Sequence, residues 1–263
     1  MPQSSGEPQM PELHYIMIEK SALEALPKQE LSILLGGGKL LNGINIGTKY
    51  LTFCINAVDA AEDGLANAVA LTVTSFFLRV LAGHVFEAYK YFRKVIRVNE
   101  LRKSKSNLLD AAFFADVETV QKYFGQTNIV SQMRNKFSFH TDADLLRKSF
   151  EGVPAGYTYD VLLGKEYQGH SIFYGSEMII VDGIQHLKPA QDWKAAIDLA
   201  FVDTIHIANI VSRVFQRIIG FIMTEHLKIT MNDAETVTVT DGPPIDTVRV
   251  PFFCQPPQST GAG

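Results

Sequence analysis

Residues 64–92 read GLANAVALTVTSFFLRVLAGHVFEAYKYF. Phe76, Phe77, Val80, Leu81, Val85, Ala88 and Phe92 make one broad apolar face if the segment is helical. The helical pattern runs on to about Lys103 and closes on the basic stretch RKVIRVNELRKSK, whose charge complements the negative end of a helix. Its uncharged part, Gly64 to Leu78, is shorter than the roughly 20 apolar residues that a membrane span needs. We therefore expect a long buried helix, a fold built around it, and no membrane partner.

Upstream, a short helix is expected from Ser21, followed by a helical pattern to about Ala61. There Leu34, Leu41, Ile44, Leu51 and Ile55 share one face. Three glycines, Gly36 to Gly38, each cost a helix roughly 1 kcal/mol relative to alanine, so a break is expected between two helices. The GGGK that they form is not a phosphate-binding loop, because Lys39 is followed by Leu40 rather than Ser or Thr and the glycine spacing is wrong.

Downstream, a third helix is expected from Asn107 or Leu108, with an interruption at Gly125. Residues 141–186 turn tyrosine- and glycine-rich, with β-leaning runs YTYDVLL and HSIFYGSEMIIV, and read as a small β insertion. The helical period returns in WKAAIDLAFVDTIHIANIVSRVFQRIIGFIMTEHL. The final ETVTVTDGPPIDTVRVPFF alternates about a turn and suits a strand paired with the insertion, a hairpin, or a partly ordered tail. The expected organisation is a flexible lead-in over 1–18, a helical domain over 19–227 carrying the insertion at 141–186, and a tail over 228–263. Its class is mainly α, a bundle of four to five helices with a small β insertion before the last long helix and a β-leaning C-terminal tail.

Composition bounds the function. With 46% hydrophobic and 20% charged residues and a net charge of −4, the chain has the make-up of a globular protein with a sizeable core. That charge argues against a surface coated for nucleic acid and leaves room for a local basic cleft. Cys54 and Cys254 lie far apart in no metal-ligand spacing, so neither a disulfide framework nor a zinc site is expected. The Pro-rich MPQSSGEPQMPE has no signal-peptide pattern, and a cytoplasmic location is expected. No group of His, Asp and Glu has metal-site spacing, and no cofactor motif is present.

The densest polar grouping is QMRNKFSFHTD, residues 132–142. Arg134 offers a planar fork of donors suited to phosphate, Asn135 a further donor, and His140 a proton carrier near neutral pH. Together these suit metal-free RNA cleavage, in which a base takes the 2′-OH proton, the oxygen attacks the adjacent phosphate, and cationic donors stabilise the charge that develops. An ordinary helix end, with Arg134 and Lys136 complementing the dipole and His140 capping carbonyls, accounts for the same residues. Glu87, one turn beyond His84, is placed to pair with Arg134 or to sit exposed without a role. Asp142 suits either orienting His140 or capping the helix that follows.

The order Arg134-Asn135, four residues, His140 resembles the signature of the HEPN superfamily, small helical domains with an Arg, often followed by Asn, and a His four to six residues on. The likeness is closest to abortive-infection-type HEPN proteins, where R-N-x-F-x-F-H-x-D precedes an inserted segment and a final helix. LAGHVFEAYKYF, residues 81–92, resembles the family's preceding long helix. The resemblance implies a HEPN-like bundle and a metal-independent endoribonuclease acting as a toxin or in phage defence. It also implies a homodimer in which two motifs face one cleft, RNA as substrate, and an antitoxin or another protein as partner. Arg134 would hold the phosphate, Asn135 would support it, and His140 would act as acid or base. Other members are inactive and bind a nucleotide or a protein, which is the alternative reading. A helical interaction protein with no nucleic-acid role is a third.

Geometry constrains this reading. Six residues of ideal helix turn through about 600°, leaving Arg134 and His140 roughly 120° apart and about 9 Å apart along the axis. Their cooperation requires the helix to end or tighten by His140, or the two side chains to meet through a phosphate or across a dimer axis. Among the other histidines, His170 and His186 lie in the insertion, His206 reads as a core or boundary residue, and His14 and His226 lie near element ends. Tyr157, Tyr159, Tyr167 and Tyr174 suit either base stacking or a small core of their own.

Overall fold

The computed structural model describes residues 12–103, 106–138, 142–153, 155–164, 171–187, 191, 193–239 and 242–252. Strand β1 (Glu12–Tyr15) leads into α1 (Lys20–Glu24), α2 (Lys28–Ser32), a π-helical turn (Ile33–Gly37), α3 (Gly38–Asp59) and α4 (Gly64–Val95). Next come α5 (Val98–Leu101), a 3₁₀ turn (Asn107–Leu109), α6 (Ala111–Phe124), α7 (Ile129–Met133) and a second π-helical turn (Arg134–Ser138). The chain ends in α8 (Ala143–Gly152), α9 (Tyr174–Leu187), α10 (Trp193–Glu225), a 3₁₀ turn (Met231–Asp233) and β2 (Glu235–Thr238). The protein is mainly helical with a small two-stranded sheet.

Capping residues set most of the boundaries. Asp63, Asp110, Asn128 and Asp142 each turn a side-chain oxygen back onto an amide in the first turn of α4, α6, α7 and α8. The interruption expected at Gly125 is the link between α6 and α7. The 32-residue α4 is the hub, packing along α3 and touching α7, α9, α10 and the second π turn. Leu78, Leu81, Val85 and Ala88 of α4 meet Ile207, Phe215 and Ile218 of α10 and Phe113 of α6 in one buried core. By length and apolarity alone, Gly64–Val95 and Ala195–Glu225 could each cross a membrane; here each supplies a core face.

Three expectations change. The glycines of Gly36–Gly38 do not break the helix: α2, the first π turn and α3 follow without a gap, and Gly37 and Gly38 have helical dihedrals. What the glycines provide is close approach, since a Cβ on Gly36 would lie 2.3 Å from the Tyr91 hydroxyl, which donates to Ser32 O at 2.5 Å. Among the described residues, the β structure of the insertion is a single antiparallel bridge between Leu162 and Ile172, flanked by α8 and α9. Val181 and Ile184 sit on one buried face of α9, and that burial overrides the β-leaning composition. Finally, among the described residues β2 pairs neither with the insertion nor within the tail. It runs antiparallel to β1, with Tyr15 opposite Glu235 and Glu12 opposite Thr238, so part of the expected lead-in closes against the tail.

Candidate functional site

Arg134 opens the second π turn at the end of α7. Met133 and Phe137, on either side of it, are buried, which anchors the turn and leaves Arg134 at the boundary. Its Nη2 donates to Glu87 Oε1 of α4 at 2.8 Å, and its Nη1 donates to Asn135 Oδ1 at 3.1 Å. The guanidinium carbon lies 5.4 Å from the centre of the Phe86 ring, an arrangement favourable to a cation. The Arg134 side chain is 19% exposed and that of Glu87 39%, and Arg134 Nε is buried with no hydrogen-bond partner. Lys90, one turn along α4, also reaches Glu87, at 3.4 Å. Asn135 is exposed.

Over Arg134–Ser138 the helix widens into a π turn rather than tightening. Wider i→i+5 turns occur mostly as single-turn bulges, often at functional sites. Ser138 Oγ, at the end of this one, donates to Met133 O and to Arg79 O of α4. Asp142 N closes back on Lys136 O at 3.2 Å. His140 lies outside the described residues.

Asp142 accepts from Lys136 Nζ and from Leu145 N, so it caps α8 and ties that helix to the π turn. The Lys136 bond, and then the Leu145 amide, hold its carboxyl below the usual aspartate range. The Leu145 bond is the helix-capping role that the sequence offered for Asp142.

Among the remaining candidates, His84 is half-buried against Gly43, and His186 Nδ1 sits 2.9 Å from Asp182 O and 3.3 Å from Asp182 Oδ2. His206 is exposed rather than in the core. Tyr159 lies against Gly175 at the start of α9, with its hydroxyl on Ser176, while Tyr157 donates to Gly175 O at 3.5 Å. His170 and Tyr167 lie outside the described residues.

Sequence reasoning missed a buried bidentate pair, Arg79 of α4 with Glu177 of α9, at 2.6 and 3.1 Å. Its signal was a lone arginine inside an apolar run, a charge that burial obliges to find a partner. It also missed an apolar cavity of about 500 Å³ between the α3–α4 corner and the segment Arg249–Phe252. Cys54 lines that cavity, and burial pushes its thiol up to about 11. The thiol is therefore protonated at neutral pH. Among the described residues, no group of three or more His, Cys, Asp or Glu could hold a metal ion.

No family model, curated protein or solved structure matches this chain.

Proposed function

We propose that the π turn at Arg134 is the centre of a HEPN-type site that cleaves RNA without a metal ion. The observation that carries the reading is the 2.8 Å pair between Arg134 and Glu87. It fixes the fork of an arginine that follows a buried residue and precedes a bulged turn, at the edge of the fold rather than inside it. A carboxylate on one Nη of a guanidinium leaves other N–H donors to meet a phosphate oxygen.

In this mechanism His140 takes the proton of a ribose 2′-OH or protonates the leaving 5′ oxygen. The 2′ oxygen forms a bond to phosphorus as the bond from phosphorus to the 5′ oxygen breaks. Arg134, supported by Asn135, stabilises the added negative charge. The products are a 2′,3′-cyclic phosphate and a 5′-hydroxyl end. A homodimer would set two such turns on one cleft, and an antitoxin or similar partner would restrain a toxic or phage-defence nuclease.

One observation favours the second reading, a non-catalytic HEPN module that binds a nucleotide or a protein. Both Nη atoms of Arg134 already have partners, Glu87 and Asn135, an arrangement that suits holding as well as reacting. The deciding experiment incubates the protein with total RNA in EDTA. Wild type should give fragments ending in cyclic phosphate, while Arg134→Ala and His140→Ala should give none and keep wild-type helicity. Intact RNA with wild type, or cleavage only with Mg²⁺, overturns the nuclease reading.

A further inference from the structure

A second pocket lies where α2, the first π turn, the α4–α5 link and the end of α10 meet. It has a volume of about 160 Å³, well below the several hundred cubic ångströms of a drug-sized site. Its floor is apolar, since Ile33, Ile96, Ile218 and Ile222 all line it and are all buried. Phe221 and His226 add aromatic surface, their rings edge to face with centres 5.9 Å apart.

The charges around this pocket do not cancel. Arg97 and Glu100 line it and pair with each other at 3.0 Å, both well exposed. Glu30 lines it too, and its Oε2 is buried with no hydrogen-bond partner. A buried carboxylate oxygen without a donor is costly, so it favours whatever brings one. Gln29 does not, because its amide donates instead to Val95 O at 2.9 Å. The pocket thus combines a half-buried carboxylate with one oxygen that no protein group donates to, an apolar floor, an aromatic edge and room for only a small guest.

We propose that this pocket binds a small organic monocation, a primary ammonium on a short apolar stem. Glu30 accepts from the ammonium, the isoleucine floor takes the stem, and Phe221 gives the cation a ring to lie near. The site is independent of the one at Arg134, and none of its lining residues belongs to that turn.

Benzylammonium and its neutral isostere benzyl alcohol test this on the full chain by calorimetry at neutral pH, with methyl NMR on the isoleucines. The ammonium should bind at least about tenfold more tightly than the alcohol, a charge-assisted hydrogen bond being roughly twice as strong as a neutral one. It should also shift the methyl signals of Ile33, Ile218 and Ile222. Glu30→Gln should weaken ammonium binding by about tenfold and leave the alcohol unchanged. Equal affinity for the two ligands in wild type means that water satisfies Glu30, and it overturns the proposal even where the Gln variant fails to fold. Unmoved isoleucine signals, or an unaffected Gln variant, overturn it as well.

Discussion

Arg79 sits in the middle of an apolar helix with its side chain only 8% exposed, and Glu177, at 17%, is its carboxylate. Ser75 Oγ accepts a further bond from the same Nη1. Removing the carboxylate alone strands a buried guanidinium, so Glu177→Ala should cost about 3–5 kcal/mol in urea unfolding. Replacing both partners by Met and Leu should cost much less, because no buried charge is left behind. A small loss for Glu177→Ala would mean that water reaches Arg79. Asp142 gives a pH-dependent counterpart. Its carboxyl is held below the ordinary value by Lys136 and Leu145 N, so the ionised form contributes stability. That contribution is complete above the unfolded aspartate value near ~3.9 and disappears as pH falls through the lower folded value. Asn caps a helix about as well as Asp, so comparing wild type with Asp142→Asn isolates the Lys136 bond. The difference in thermal midpoint should hold steady through neutral pH and vanish in acid. A difference that persists below that range would assign it to something other than ionisation.

At the scale of elements, the long periodic segments were legible and the short tight contacts were not. The face formed by Leu81, Val85 and Ala88 announces α4, and the same period announces α10, because burial of one helical face repeats every turn. Asn128 and Gly125 mark the α6–α7 link through local chemistry that sequence carries directly. The Glu87–Arg134 pair was within reach for a similar reason, since both candidate residues lay in recognisable helices. Arg79 and Glu177 are 98 positions apart, and only the packing of α4 on α9 joins them. Gly36 misled because propensity counts a glycine's entropy and not the tyrosine packed on it. Gly183 belongs to the same class: a Cβ there would stand 2.6 Å from Phe137 Cζ and 3.1 Å from Ser149 Oγ, inside the contact of the second π turn with α8 and α9. Gly183→Ala should therefore destabilise the protein by about 1–3 kcal/mol, the usual cost of overpacking. Adding Phe137→Leu should recover part of that loss in chemical denaturation. If the double variant is no better than the single, Phe137 is not what the methyl group meets.

At the scale of the molecule, the question is whether one chain completes the proposed nuclease site. Arg134 is committed to Glu87 of its own α4, so its position is set within one chain. The helical arithmetic places a histidine six residues further on a different face of an ideal helix, roughly 120° away. A dimer in which one chain's Arg134 serves the other chain's His140 answers this geometry, and it predicts complementation. Arg134→Ala and His140→Ala should each be inactive alone. Mixed in equal amounts and allowed to exchange, half of the dimers are mixed and each carries one intact composite site. The mixture should therefore recover about a quarter of wild-type activity in a closed two-fold assembly. If both residues act within one chain, each member of a mixed dimer lacks one of them and the mixture stays inactive. Sedimentation analysis of the same samples separates that outcome from failure to exchange or from a chain that never dimerises.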